Sequence, residues 1–240
     1  MKCRFALMLL AMAGTLLGAD FWEAKPFTEW SEKEVNKIMG DSPWAKSTTS
    51  AVDLNKLRDM PMAQGGGEDM APSAGAGGRG GGRGGRGGGG GGGGLPPMVE
   101  LMVRWHSAMT VRQALVRGQF GDKAASAPEA AEFLSRPFNH YVLAVTRLPM
   151  RYFQRVDPKE FQKMLAEAAT LHLKGSDPLK PSDVQFQSSQ QSLTIFFAFP
   201  RDRQISLDDK EVEFQAEIGP LKIKRKFKMT EMVRDGKLDL

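Results

Sequence analysis

The chain has 240 residues, with 33 Lys and Arg against 28 Asp and Glu for a formal charge of +5, and a single cysteine, Cys3. One cysteine excludes an internal disulfide and a multi-cysteine metal centre. Without Lys2 and Arg4 the charge falls to +3, which Arg79, Arg83 and Arg86 alone account for, so no folded part has the basic bias of a nucleic-acid binder.

Residues 1–19, MKCRFALMLLAMAGTLLGA, place Lys2 and Arg4 ahead of an apolar run from Phe5 to Leu17, then Gly18-Ala19. That is the layout of a secretory signal peptide cleaved after Ala19, which would also remove Cys3 and with it any catalytic thiol. Its apolar core is shorter than the roughly 20 residues a spanning helix needs. The expectation is an exported protein, periplasmic or secreted, with no stable membrane span after cleavage.

Residues 20–46 form a tryptophan-rich N-terminal segment. Ser31 with Glu34 three residues later predicts a capping box, and Gly40 a stop, for a helix over Glu32–Met39. So short a helix is unstable alone, and its apolar face with Val35, Ile38 and Met39 must be covered. Two covers are open. One is the C-terminal domain of the same chain. The other is a partner, such as another envelope or secreted protein, for which Trp22, Trp30 and Trp44 would be docking anchors.

Residues 47–97 read as a disordered Gly/Arg-rich linker, interrupted at most by a short helix over Val52–Arg58. Between Gly65 and Gly94, 19 of 30 residues are glycine, a composition with little to bury and much backbone entropy to lose. Arg79, Arg83 and Arg86 give this tract an RGG-like character, so polyanion or nucleic-acid binding is one reading. No Phe, Tyr or Trp lies between Trp44 and Trp105 to stack on bases, and export removes cytoplasmic RNA as a partner. A spacer is therefore preferred.

Residues 98–240 are long enough for a domain with its own core. Val99, Leu101, Val103 and Trp105 alternate with Glu100, Met102, Arg104 and His106, a half-buried strand. A helix over Val111–Arg117 ends at Gly118, and Pro128 opens another that closes before Pro137. HYVLAVTRL, residues 140–148, reads as a central strand. Asp157-Pro158 starts a helix whose apolar stripe runs from Phe161 to His172. Four strands follow: Val184–Gln187, Leu193–Phe199, Glu211–Ile218 and Leu221–Lys228. The pattern predicts an α+β fold, mostly antiparallel, with a C-terminal β-meander and two or three helices. A Gly219-Pro220 turn pairs Ile218 with Leu221, which sets Glu217 opposite Lys222, Gln215 opposite Lys224, Glu213 opposite Lys226 and Glu211 opposite Lys228. KIKRKFK is then a charge-paired solvent face rather than a nucleic-acid patch.

The histidines, His106, His140 and His172, fall in different elements, and no HExxH, nucleophile elbow, Walker loop or dinucleotide fingerprint is present. No catalytic residue, metal site or cofactor is expected. The expected function is an exported, non-catalytic binding or structural module with a tethered tryptophan-rich segment. Polyanion binding through the RGG-like tract and an extracytoplasmic hydrolase of unrecognised type are the alternatives.

Two blocks, KPFTEWSEKEVNKIMGDSPWAKS and FAFPRDRQISLDDKEVEFQAEIGPLKIKRKFKMTEMVRDGKLDL, together with VRW and YVLAVTRLP, resemble an uncharacterised family of exported bacterial proteins of acidobacterial type. The first block is also loosely similar to GWxTD-type domains, although Glu29-Trp30-Ser31-Glu32-Lys33 stands where Gly-Trp-x-Thr-Asp would be. The resemblance implies export and an α+β fold, and no functional residues.

Overall fold

The computed structural model describes residues 20–63 and 95–240. The expected signal peptide, and Arg79, Arg83 and Arg86, lie outside these residues.

The N-terminal segment begins with α1 (Phe21–Ala24) and α2 (Glu32–Gly40). The capping box of α2 forms: Ser31 Oγ accepts from the Glu34 N–H at 3.4 Å, and the Glu34 carboxylate accepts from the Ser31 N–H at 2.7 Å. Hydrogen bonds from Lys25 and Ser31 hold the Glu34 carboxyl well down, at about 2. The chain then enters strand β1 (Ala45–Ala51), paired antiparallel with β2 (Met98–Trp105). This corrects the expected start of disorder at Ser47. AKSTTSA has little apolar content, but β1 is held by its backbone ladder to β2, which composition does not reveal. Residues 54–59 form turns rather than a helix, with the Asp53 carboxylate accepting from the Asn55 N–H at 3.1 Å. Met60, next along, is 5% exposed and belongs to the core. Residues 47–63 are thus part of the fold, and of the expected linker 64–94 lie outside the described residues.

After β2 come α3 (Met109–Phe120), α4 (Pro128–Ser135), β3 (His140–Pro149), α5 (Pro158–Ala168) and β4 (Ala169–His172). Helix α3 runs on through Gly118 and stops at Gly121, whose φ of 55° only glycine adopts without strain. Helix α5 starts as expected, with Asp157 accepting from the N–H groups of Lys159 and Glu160. It ends at Ala168, because Ala169 and Leu171 are also spaced for a strand and pair with β7 (Glu211–Ile218). The rest is β5 (Asp183–Ser188), β6 (Ser192–Pro200), β8 (Leu221–Lys228), and the short pair β9 (Val233–Arg234) and β10 (Lys237–Leu238).

The fold is α+β, with its strands paired antiparallel. The large sheet has the order β1-β2-β3-β6-β5 and the small one β4-β7-β8, so β5 and β6 form a hairpin in the large sheet and β7 and β8 one in the small sheet. The two sheets share one core. Trp105 meets Phe227 with ring centroids 5.5 Å apart, and Phe197 meets Phe214 at 5.4 Å. Beside β1, Ser50 Oγ accepts from the Lys222 N–H at 3.1 Å, tying the large sheet to β8. On the other side Gln162 of α5 donates to the Val184 carbonyl of β5 at 2.5 Å, covering part of the edge that β5 forms among the described residues. The β7–β8 hairpin has the register read from the sequence, residue for residue. Lys222–Glu217 (3.3 Å), Lys224–Glu213 (3.0 Å) and Lys226–Glu211 (2.6 Å) lie along its outer face. Its turn needs Gly219 for its φ of 54°, and a Cβ there would lie 2.7 Å from Met60 Sδ, so that the Met60 side chain would have to shift.

The tryptophans that the sequence offered as docking anchors are part of this core. Trp22 is 5% exposed, and Trp30 and Trp44 are 0% exposed. The Trp22 and Trp44 rings meet edge-on at 5.5 Å. The Trp44 indole N–H donates to the Asp239 carbonyl at 2.8 Å, and the Asp239 carboxylate accepts from the N–H groups of Met109 and Thr110. That carboxylate caps α3, whose own N-cap residue, Ala108, has no side-chain acceptor. The Trp30 carbonyl accepts from Arg117 Nε at 2.8 Å, and the Arg234 guanidinium lies over its ring at 5.7 Å. Partner docking by Trp22, Trp30 and Trp44 is thereby overturned, since a buried indole has no surface to offer. The N-terminal segment packs on the domain and on its C-terminal residues and is no tethered arm.

Candidate ligand cleft

Cross-strand register decides what the outer face of the large sheet presents. Side chains alternate between faces along a strand. Tyr141, Leu143 and Val145 of β3 and Ile195, Phe197 and Phe199 of β6 therefore point into the core, where all six are buried. The opposite face carries Val142 and Ala144 from β3, Phe196 and Ala198 from β6, and Asp183 and Gln185 from β5. His106 continues the outward series of β2, and its N–H donates to the Val142 carbonyl at 2.7 Å. One row across the sheet thus reads His106, Val142, Ala198, Asp183. Valine and alanine in the middle, with larger side chains at either end, leave a depression.

Residues 136–139, between α4 and β3, complete it. The cleft has a volume of about 510 Å³ and is lined by this loop, His106, His140, Phe196 and the polar residues of β5. That is within the range of small-molecule sites, roughly 300–1,000 Å³. The loop is pinned from behind by Arg112 of α3, which is 4% exposed. Its guanidinium donates to the carbonyls of Phe133 and Arg136, the latter at 2.9 Å. It also lies over the rings of Phe133 at 5.2 Å and Phe138 at 4.6 Å. Arg112→Ala is expected to lower stability by about 3 kcal/mol through loss of charge-assisted bonds and cation–π contacts. Amide exchange over residues 133–139 should quicken more than in the sheet. Unchanged exchange there would mean that Arg112 does not hold the rim.

His106 forms the inner wall. Its ring meets Phe196 edge-on at 4.9 Å, and its Nδ1 is buried with no hydrogen-bond partner. Burial, then the positive charges of Arg104 and Arg112, push its pKa down to about 4. The imidazole is therefore neutral at neutral pH. Arg104, two residues earlier on the same face, is also pushed down, to about 10, by burial and by Arg147. Its Nη1 lies 3.6 Å from the Met39 sulfur, and its Nε is buried and unpartnered.

The arrangement is better suited to holding a ligand than to proton transfer. His106 and Asp183 face the same cleft but sit three inter-strand spacings apart, which puts their backbones about 14 Å from each other. The Asp183 carboxylate instead accepts from Gln185 Nε2 at 2.8 Å. His172 lies on β4 of the small sheet, 3.0 Å from Thr170 Oγ1, and takes no part. Among the described residues no group of three or more His, Cys, Asp or Glu could hold a metal ion. Also among the described residues, no helix is long and apolar enough to cross a membrane.

No family model, curated protein or solved structure matches this chain.

None of the docking or polyanion candidates offered by the sequence lines the cleft. Trp22, Trp30 and Trp44 are brought together, but inside the core, and Arg79, Arg83 and Arg86 lie outside the described residues. His106 and His140 looked unrelated because they fall in different elements. The β2–β3 pairing makes them neighbours. A signal was present in the alternation itself: His106, His140, Asp183 and Gln185 all occupy outward positions of strands, and only the strand order was missing.

Proposed function

We propose that the protein is an exported, non-catalytic small-molecule binding module whose ligand occupies the cleft on the outer face of the large sheet. The observation that carries this reading is the row His106–Val142–Ala198–Asp183, a small-residue floor between polar walls under a pinned loop. A few placed polar groups around an apolar floor are the common pattern of ligand sites. The separation of His106 from Asp183 supports binding over hydrolysis. Export rests on the charged, apolar and small-residue regions of residues 1–19 and on the family resemblance.

The test is to fill the floor. Ala198 is half-buried and points outward, so Ala198→Trp should occupy the cleft without entering the core. In an NMR screen with a fragment library, hits on the native protein should shift the amides of residues 136–142, 183–185 and 196–198. The same hits should lose at least tenfold in affinity against the variant. Hits that map elsewhere, or that bind both proteins equally, contradict the proposal.

A further inference from the structure

The charge and polarity of the cleft identify its ligand more closely. Arg136 and Asp183 both line it, and His106 contributes no charge at neutral pH. Counting Lys, Arg, Asp and Glu, the lining sums to zero formal charge, and both charges already have partners, Arg136 in Glu132 at 3.2 Å and Asp183 in Gln185 at 2.8 Å. A lone anion would meet Asp183 and a lone cation would meet Arg136, so neither is matched. The remaining polar groups, Asn139 and Gln185, are amides that both donate and accept. With the guanidinium and the carboxylate, they make a set of flat, two-pronged groups. Such groups suit adjacent hydroxyls, each of which also donates and accepts. The apolar part of the lining is formed by Phe138, Phe196 and Pro137 over the Val142 and Ala198 floor. One face of the Phe138 ring is already occupied by Arg112. Rings and small aliphatic groups beside flat polar side chains match a sugar, whose C–H faces are apolar and whose rim is hydroxylated.

We propose that the cleft binds an uncharged saccharide, a mono- or disaccharide or the end of a neutral glycan chain. The proposal rests on the ligand-binding reading above and specifies the ligand class. Asn139 and Gln185 hydrogen-bond its hydroxyls, and Phe196 covers a C–H face. Both amide residues are exposed, so replacing them removes recognition without disturbing the core.

The experiment is an NMR titration of the full chain with cellobiose, maltose, xylobiose and N-acetylglucosamine, beside inorganic phosphate, glucuronate and indole. The expected result is a saturable shift of the amides of residues 139, 142, 185 and 198 with at least one neutral sugar. Affinity should fall tenfold or more in both Asn139→Ala and Gln185→Ala, while their melting temperatures match the native protein. Shifts at these amides with phosphate, glucuronate or indole alone would overturn the saccharide assignment and leave the cleft as a ligand site. Silence from every probe would also overturn it, and the fragment screen against Ala198→Trp then decides separately whether the cleft binds anything.

Discussion

Replacing Trp44 by alanine is expected to destabilise the protein by about 3–5 kcal/mol, the range for truncating a fully buried aromatic side chain. Trp44 is 0% exposed, stacks edge-on against Trp22 and donates its indole N–H to the Asp239 carbonyl. Its removal leaves a cavity and an unpaired carbonyl, and loosens the residue whose carboxylate caps α3. Domains are typically stable by about 5–15 kcal/mol, so a large share of the total is at stake. Urea denaturation measures it directly. A tryptophan held outside the core for a partner would behave differently, since surface substitutions usually stay within about 0.5 kcal/mol. A loss that small would restore Trp44 to the surface.

Acidification from pH 6.5 to pH 4 is expected to remove about 3 kcal/mol of stability through His106 alone. Its pKa falls from 6.5 to about 4 on folding, because the ring is buried and faces the positive charges of Arg104 on β2 and Arg112 on α3. His140, Arg136 and Asp183 line the same cleft from the other sides. Well above pH 6.5 both states hold the ring neutral, and His106 contributes nothing to the pH dependence. Between 6.5 and 4 the unfolded chain binds a proton that the folded protein refuses. Stability therefore falls by about 1.4 kcal/mol per pH unit as pH drops, and the loss levels off below 4. The shifted carboxyls act lower. Glu34 is held at about 2, and Glu213 and Glu217 are also depressed below 4.5, so their contribution is lost only as pH falls from about 4.5. The interval between 6.5 and 4.5 reports on the histidine. His106→Gln should flatten the urea midpoint across that interval. A native-like slope in the variant would show that another group is titrating.

The fold was legible where a signal is local. The Ser31–Glu34 box starts α2, Asp157-Pro158 starts α5, and alternating residues set the register of β7 and β8 to the residue. It was illegible where pairing partners decide. AKSTTSA becomes a strand because β2 supplies its ladder, and 169–172 leave the helix because β7 does the same. The cleft belongs to this second class. Its strand residues occupy outward positions that can be read from the sequence, while residues 136–139 come from a loop. That β3 lies between β2 and β6 is a fact of topology, and only that order brings His106, Ala198 and Asp183 onto one surface. The tryptophans show the reverse hazard. A cluster of large aromatic residues at one end of a chain has the same composition whether it anchors a partner or completes a core, and the side chains packed around it make the difference.

The tryptophan-rich segment is core, so function is to be sought on the outer sheet face. The most direct measurement is the proton NMR spectrum of residues 95–240 alone, compared with that of the full chain. Without residues 20–63 the fragment lacks β1, Met60 and all three N-terminal tryptophans, and Trp105 loses the backbone bond from its N–H to the Trp44 carbonyl. The predicted result is a collapsed, poorly dispersed spectrum for the fragment beside a dispersed one for the full chain. A fragment with a dispersed spectrum and the full chain's melting temperature would contradict the account.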